Sequence, residues 1–331
     1  MITEHYKNSL LTLTKSKEVT DIQLIQGAWG GYGQLLRVKF SGGKINSVVV
    51  KLINLPKQDK HPKGWSSNRS HQRKLFSYQV ESYWYTHYAQ RLQDTHCSMP
   101  CCLLIEEHEQ QRYLVLEDLS ERGFPIVKQN CSFIEAKQCI SWLAQFHALH
   151  INHTAQGLWP KGSYWHLETR PDELENLQDT ALKNAACHLD NILTECPFQT
   201  IIHGDAKLAN FCFSENGNNV AAVDFQYVGK GCGMKDLILF ISSAVKPEHC
   251  EQQAPLLVDH YFNILKEATL TTGVDAELLE KSWRPLFCIA WADFQRFIKG
   301  WSPDHWKINT YTESLTAQAL REIDALINTT T

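Results

Sequence analysis

The sequence predicts an α+β protein of two lobes: an N-terminal five-stranded antiparallel sheet with one helix, then a mainly helical C-terminal lobe. Three observations predict it. Short apolar runs bounded by turn residues occupy the first third of the chain, and segments with helical apolar spacing occupy most of the last two thirds. Between the helical segments, residues 201–240 gather Asp205, Asn210 and Asp224 around a hairpin signal. At 331 residues and 38.0 kDa the chain is long enough for two cores, and we divide it into residues 1–116 and 117–331. With 43% apolar and 21% charged residues it is too apolar for disorder. A net charge of −4 and a pI near 6.4 exclude the basic footprint of a nucleic-acid binder. No run approaches the ~18 apolar residues of a membrane span. Residues 1–10 lack the pattern of a signal peptide, so a cytoplasmic location is expected.

Residues 21–29, 33–40 and 46–53 read as the first strands. The third places Lys51 inside the apolar run Val48-Val49-Val50-Lys51-Leu52-Ile53, where a lysine either snorkels from an edge or needs a partner. Gly27-Ala28-Trp29-Gly30-Gly31-Tyr32-Gly33 links the first two strands, and its glycines permit close backbone approach to an anion. Residues 57–74 carry Lys57, Lys60, Lys63, Arg69, Arg73 and Lys74 and read as a solvated loop. A helix over 70–92 sets Leu75, Tyr78, Tyr85 and Leu92 near one face, with Glu81 among aromatic neighbours. Strands 100–106 and 112–117 complete the sheet.

The eleven cysteines, an odd count without an export signal, read as reduced thiols. The cluster His96-Cys97-Ser98-Met99-Pro100-Cys101-Cys102 lacks a second ligand pair at finger spacing and is not read as a metal site. Further on, Ser132-x-x-Glu135 is a capping box that opens a helix running to about His150. Helices follow over 172–196, 235–245, 250–270, 276–299 and 310–327.

Phosphoryl transfer needs positioning and charge neutralisation more than covalent chemistry, and the central segment has those parts in order. Asp205, in His203-Gly204-Asp205, can accept the hydrogen bond of an attacking hydroxyl. Asn210 supplies an amide oxygen. Asp224 follows the apolar runs 211–213 and 220–223, joined by Asn216-Gly217-Asn218-Asn219, so a hairpin returns it beside Asn210. A carboxylate and an amide oxygen suit Mg²⁺. Lys207 adds a positive charge for the transferred group.

His203-Gly204-Asp205-Ala206-Lys207-Leu208-Ala209-Asn210 with Asp224-Phe225-Gln226 resembles the catalytic and metal loops of protein-kinase-like small-molecule phosphotransferases, the group of aminoglycoside phosphotransferases, choline and ethanolamine kinases and the ecdysteroid-kinase-like family. The resemblance implies a two-lobed kinase-like fold using ATP and Mg²⁺. It implies Asp205 as the hydroxyl-orienting carboxylate, Asn210 and Asp224 as metal ligands, and Lys51 on the α- and β-phosphates, paired with Glu81. Gly30, Gly31 and Gly33 would lie over the phosphates. Glu117 and Leu119 would read the adenine through main chain, with side chains tolerant of substitution. Asp236, twelve residues after Asp224, resembles the aspartate that braces the catalytic loop, and His147 reads as a structural hydrogen-bonding residue. Gln226 replaces the glycine of D-F-G, which fits a fixed metal loop. Residues 226–235 leave no room for a peptide-docking activation segment, so the acceptor is expected to be a small hydroxyl-bearing molecule. Trp291, Asp293, Arg296, Phe297, Trp301 and Asp304 are its candidate wall, suited to an amine, a quaternary ammonium or a larger apolar alcohol. The alternatives are a non-catalytic nucleotide-binding pseudokinase and an atypical protein-modifying kinase.

Overall fold

The computed structural model describes residues 2–27, 31–54, 68–92, 96–108 and 110–330. Two compact units emerge: Met1–Ile126 with Cys212–Val223, and Val127–Phe211 with Asp224–Thr331. Unlike a linear division at 116/117, this grouping assigns residues 212–223 to the first unit.

In the first unit the strands are β1 (Glu18–Gly27), β2 (Gly33–Ser41), β3 (Ser47–Asn54), β4 (Cys102–His108) and β5 (Gln111–Glu117), in the order β1-β2-β3-β5-β4 with every pair antiparallel. Alternation sends Leu36 and Val38 of β2, Val48, Val50 and Leu52 of β3, and Tyr113 and Val115 of β5 into one core. Tyr6 and Leu10 of a helix absent from the sequence reading, α1 (Glu4–Thr14), join that core. Only Tyr6, Leu10 and Thr14 of α1 are buried, a stripe too thin to show as helical periodicity; packing on the sheet sustains the helix. The expected helix over 70–92 is α2 (Asn68–His87), with a 3₁₀ turn at Ala89–Leu92. The end of the expected basic loop, from Arg69 to Lys74, is therefore helical; residues 57–67 lie outside the described residues.

The second unit is helical, as expected, but two long helices are each broken. The segment 172–196 becomes α4 (Pro171–Asn176) and α5 (Thr180–Glu195), because the Asp179 carboxylate caps α5 by accepting the Leu182 N–H. The segment 276–299 becomes α8 (Ala276–Trp283) and α9 (Leu286–Trp301), separated at Pro285, which has no N–H to donate. α3 (Phe133–His150) opens on the Ser132/Glu135 capping box and packs on α7 (Cys250–Thr269). α9 packs against α4, α5, α6 (Met234–Ala244) and α10 (Thr310–Thr330). Among the described residues no helix is long and apolar enough to cross a membrane, and all eleven cysteines are free thiols.

Candidate active site

In the first unit, Lys51 of β3 donates to both carboxylate oxygens of Glu81 of α2, at 2.9 and 2.7 Å. The strand pairs on both sides, with Leu35 and with Leu114, so the lysine sits in mid-sheet and not at an edge. Glu81 is 1% exposed, and a carboxylate so buried persists only with a partner of this kind. Gly31 adopts φ 80°, a left-handed conformation that favours glycine. At Gly33 a Cβ would stand 1.9 Å from the Leu52 carbonyl oxygen, so this glycine is needed for β2 to approach β3. Gly30 lies outside the described residues.

The segment after β5 is held by a buried fork that the sequence reading missed. Arg37 donates through Nε and Nη2 to the two Asp118 oxygens at 2.7 and 3.2 Å, and Ser47 and Ser120 donate to the same carboxylate. Burial raises the Asp118 carboxyl, but these bonds outweigh it and leave its pKa below the usual range. On either side, the Glu117 side chain bridges Arg122 at 2.9 Å and Leu119 is 6% exposed. Their side chains thus make contacts of their own, Glu117 in an ion pair and Leu119 in buried packing. The Leu119 carbonyl accepts from Arg122 and Phe124 N–H groups.

In the second unit, Thr200–Ile202 pairs antiparallel with Gly229–Gly231 and delivers the chain into His203-Gly204-Asp205. Asp236, 0% exposed, fixes the turn by accepting the N–H groups of His203 (2.5 Å) and Gly204 (2.9 Å). His147 steadies Asp236 through Nε2 at 3.1 Å, while its Nδ1 meets the Tyr261 hydroxyl at 2.7 Å. Both residues therefore hold the structural places that the resemblance implied. Gly204 has φ 78°, and a Cβ there would stand 2.0 Å from the Tyr227 carbonyl oxygen, which accounts for glycine before the aspartate. Gly204→Ala is expected to destabilise the protein by about 3 kcal/mol or more, read as a lowered denaturant midpoint.

Asp205 is 6% exposed. Its Oδ2 accepts from Lys207 Nζ at 2.9 Å and from Asn210 Nδ2 at 3.1 Å, whereas Oδ1 is buried with no hydrogen-bond partner among the described residues. Burial raises its carboxyl, Lys207 opposes that and Asp224 reinforces it; the net shift is upward. The Asn210 amide nitrogen also donates to the Asp205 carbonyl at 2.8 Å. That use of the nitrogen leaves the amide oxygen as the group able to ligate a cation.

Asp224 stands at φ 70°, left-handed backbone that few non-glycine residues adopt. Gln226 holds it, donating Nε2 to Asp224 Oδ1 at 2.7 Å, while the Gln226 carbonyl accepts from Trp159 Nε1. Phe225 is 0% exposed among the rings of Trp142, Phe146 and His203. Glutamine in place of glycine thus secures the carboxylate. Asn210 and Asp224 are hard oxygen donors of the kind Mg²⁺ takes, and the residues fit that ion.

The expected acceptor wall is corrected. Trp291, Asp293 and Arg296 are 1%, 0% and 0% exposed inside the helical unit. Asp293 pairs with Arg296 at 2.8 Å and with Lys235 at 3.3 Å, and it accepts from Trp165 Nε1 at 3.0 Å. Burial raises its carboxyl, but the two cations hold it down at about 2. Residues three apart share a helix face, and this face of α9 turns to the core, so the charges brace helices. Phe297 is buried too, whereas Trp301, stacked on it at 5.9 Å, and Asp304 are exposed. The sequence reading missed Lys307, which burial pushes down to about 8 against the favourable field of Asp205; Lys207 pushes it the same way as burial.

Comparison with known proteins follows the same lines. A choline kinase of Streptococcus pneumoniae superposes with a TM-score of 0.50 at 13% identity, covering 97% of this chain and 98% of that one. An aminoglycoside phosphotransferase of Streptomyces rimosus, solved with ADP and streptomycin, superposes with a TM-score of 0.50 at 14% identity, covering 87% of this chain and 99% of that one. At such identities the likeness establishes the kinase-like fold alone. Comparison with curated protein sequences finds no match. The ecdysteroid kinase-like family matches residues 34–157 and 160–273, well over half of the chain. The match spans Lys51, Glu81, residues 203–210 and Asp236, and the chain belongs to the ecdysteroid kinase-like family.

Proposed function

We propose that the protein is an ATP- and Mg²⁺-dependent phosphotransferase that moves the γ-phosphoryl group of ATP to a hydroxyl of a small molecule. The observation that carries this reading is the Asp205 carboxylate, whose Oδ2 is fixed by two donors while its Oδ1 is buried with no partner among the described residues. A buried acceptor left in this state costs about 1–3 kcal/mol, and an incoming hydroxyl would satisfy it. Asp205 then orients that hydroxyl and accepts its proton as the new O–P bond forms. Lys207, whose ammonium Asp205 holds above its usual range despite burial, neutralises charge on the transferred group. Lys51, fixed by Glu81, holds the α- and β-phosphates, and residues 1–116 with the main chain at Glu117 and Leu119 receive the nucleotide; Gly31 and Gly33 lie over its phosphates. Asn210 and Asp224 would hold Mg²⁺, which when bound neutralises phosphate charge. The free thiols suit a cytoplasmic setting. Lys51, Asp205, Asn210 and Asp224 are all present, and a pseudokinase has no need of all four.

The test is Mg²⁺-dependent ATP consumption over a panel of alcohols, including choline, ethanolamine, aminoglycosides, sugars, nucleosides and sterols. Turnover that needs both Mg²⁺ and Asp205 supports the reading. Absence of ATP binding counts against it. Glu81→Gln is expected to raise KM for ATP by about tenfold or more, since Lys51 loses the charge that fixes it. An unchanged KM would remove Lys51 from the phosphate role.

The pH profile carries its own prediction. Transfer requires ionised Asp205, and its carboxyl is raised, so activity should fall with decreasing pH at a higher pH than an ordinary aspartate would give. Lys207 favours the ionised form, so Lys207→Met should move that acid limb of kcat/KM further up. A limb left in place would show that another group sets it.

A further inference from the structure

The connection between α9 and α10 holds a lysine the reaction so far leaves unused. Its main chain is pinned: the Lys307 carbonyl accepts from Gln295 Nε2 and from Thr312 Oγ1, both at 3.1 Å, and its N–H donates to His305 Nδ1 at 3.1 Å. The ammonium lies 5.3 Å from the centre of the Phe294 ring and 5.7 Å from that of Trp306. It donates to Ser242 Oγ at 3.0 Å. The next residue of α6, Ser243, accepts the N–H of Leu208 from the catalytic loop at 2.9 Å, so α6 carries Lys307 and the loop on adjacent residues. The charged groups acting on Lys307 are Asp205 and Lys207.

Among the described residues Lys307 forms no ion pair, and of its three donors one has a hydrogen-bond acceptor. Other enclosed lysines of this unit have a carboxylate: Lys235 has Asp293, and Lys299 has Asp179 and Glu313. A sheltered ammonium with spare donors, joined through α6 to the loop that carries Asp205, is a receptor for negative charge.

We propose that Lys307 binds an anionic group of the acceptor, so that the molecule phosphorylated is a hydroxyl compound bearing a carboxylate, phosphate or sulfate. This rests on the phosphotransferase reading above. The bond formed is from the acceptor oxygen to the γ-phosphorus, and the bond broken is from that phosphorus to the β,γ-bridging oxygen; Asp205 takes the hydroxyl proton and ADP leaves. Lys307 touches only the distant anion. The same ammonium disfavours choline and ethanolamine, whose positive charge would meet it. Phe294 and Trp306 offer apolar contact to the body of the acceptor.

The experiment pairs anionic and neutral probes: glycerate with glycerol, pantothenate with pantothenol, and cholate with its methyl ester. Trace acetylation of the full chain, followed by mass spectrometry of the Lys307 peptide, reads the accessibility of that amine without turnover. At least one anion is expected to protect Lys307 where its neutral partner does not. In the ATP-consumption assay, Lys307→Met should raise KM for that anion by about tenfold or more, with kcat and KM for ATP little changed, and Lys307→Arg should restore most of it. The proposal is overturned if no anion protects better than its partner, if Lys307→Met lowers kcat alike for every acceptor, or if choline and ethanolamine are the best acceptors. Loss of the phosphotransferase reading would show separately, as no Mg²⁺-dependent and Asp205-dependent transfer to any compound. The protection result stands on its own in that case.

Discussion

Asp205→Asn is expected to lower kcat by about 10²–10⁴-fold while ATP binding persists and the thermal midpoint does not fall. The catalytic loss follows from removing the acceptor of the hydroxyl proton. The stability effect follows from the raised carboxyl. A group whose folded pKa exceeds its unfolded one binds more protons when native, so stability falls as pH rises from the ordinary carboxylate value through the raised one. Ionised Asp205 therefore weakens the fold at neutral pH, and the neutral amide removes that strain. Loss of activity with undiminished stability is what a residue kept for chemistry gives. A large drop in the midpoint, or lost nucleotide binding, would instead make Asp205 a structural residue. Titrations of ATP binding and melting curves on the same preparation decide between them.

Asp236→Ala should have the opposite signature, a loss of fold and activity together. One carboxylate serves the His203 and Gly204 N–H groups and the His147 ring, all within the core. Its removal strands three donors, and the cost is about 3–5 kcal/mol, a large part of the 5–15 kcal/mol that holds a typical domain. A fall in the midpoint of about 4–7 °C is expected for a protein of this size. Hydrogen exchange at the two amides should quicken with it. Wild-type exchange in the variant would mean that the loop holds its shape without this brace.

The parts legible in the sequence are those with a local signature. Short apolar runs between turn residues mark the five strands, and the spacing of His203, Asp205, Asn210 and Asp224 marks the loops. Lys51 and Glu81 were paired through the resemblance, since nothing within either segment connects them. The illegible parts depend on partners far along the chain. Lys307 has no motif around it, and its character comes from Ser242, Phe294 and Asp205. Asp293 and Arg296 resembled pocket residues because charge beside aromatics is common to pockets and to buried ion clusters, and only Lys235, 58 positions before Asp293, tells them apart. The break at Asp179 was hidden because a capping aspartate and a surface aspartate look alike until the Leu182 N–H is seen to bond it.

Residues 212–223 leave the second unit just after Asn210 and Phe211 and re-enter it at Asp224, having joined the first unit in between, where the Ala222 N–H donates to the Ser98 carbonyl. The backbone thus crosses from one unit to the other three times. No single cut yields two pieces that each contain a whole unit. A fragment ending near residue 126 would lack its stitch, and the remainder would carry that stitch with nothing to sew. The two proposed metal ligands sit at either end of it, so the fragments should regain ion binding only when recombined.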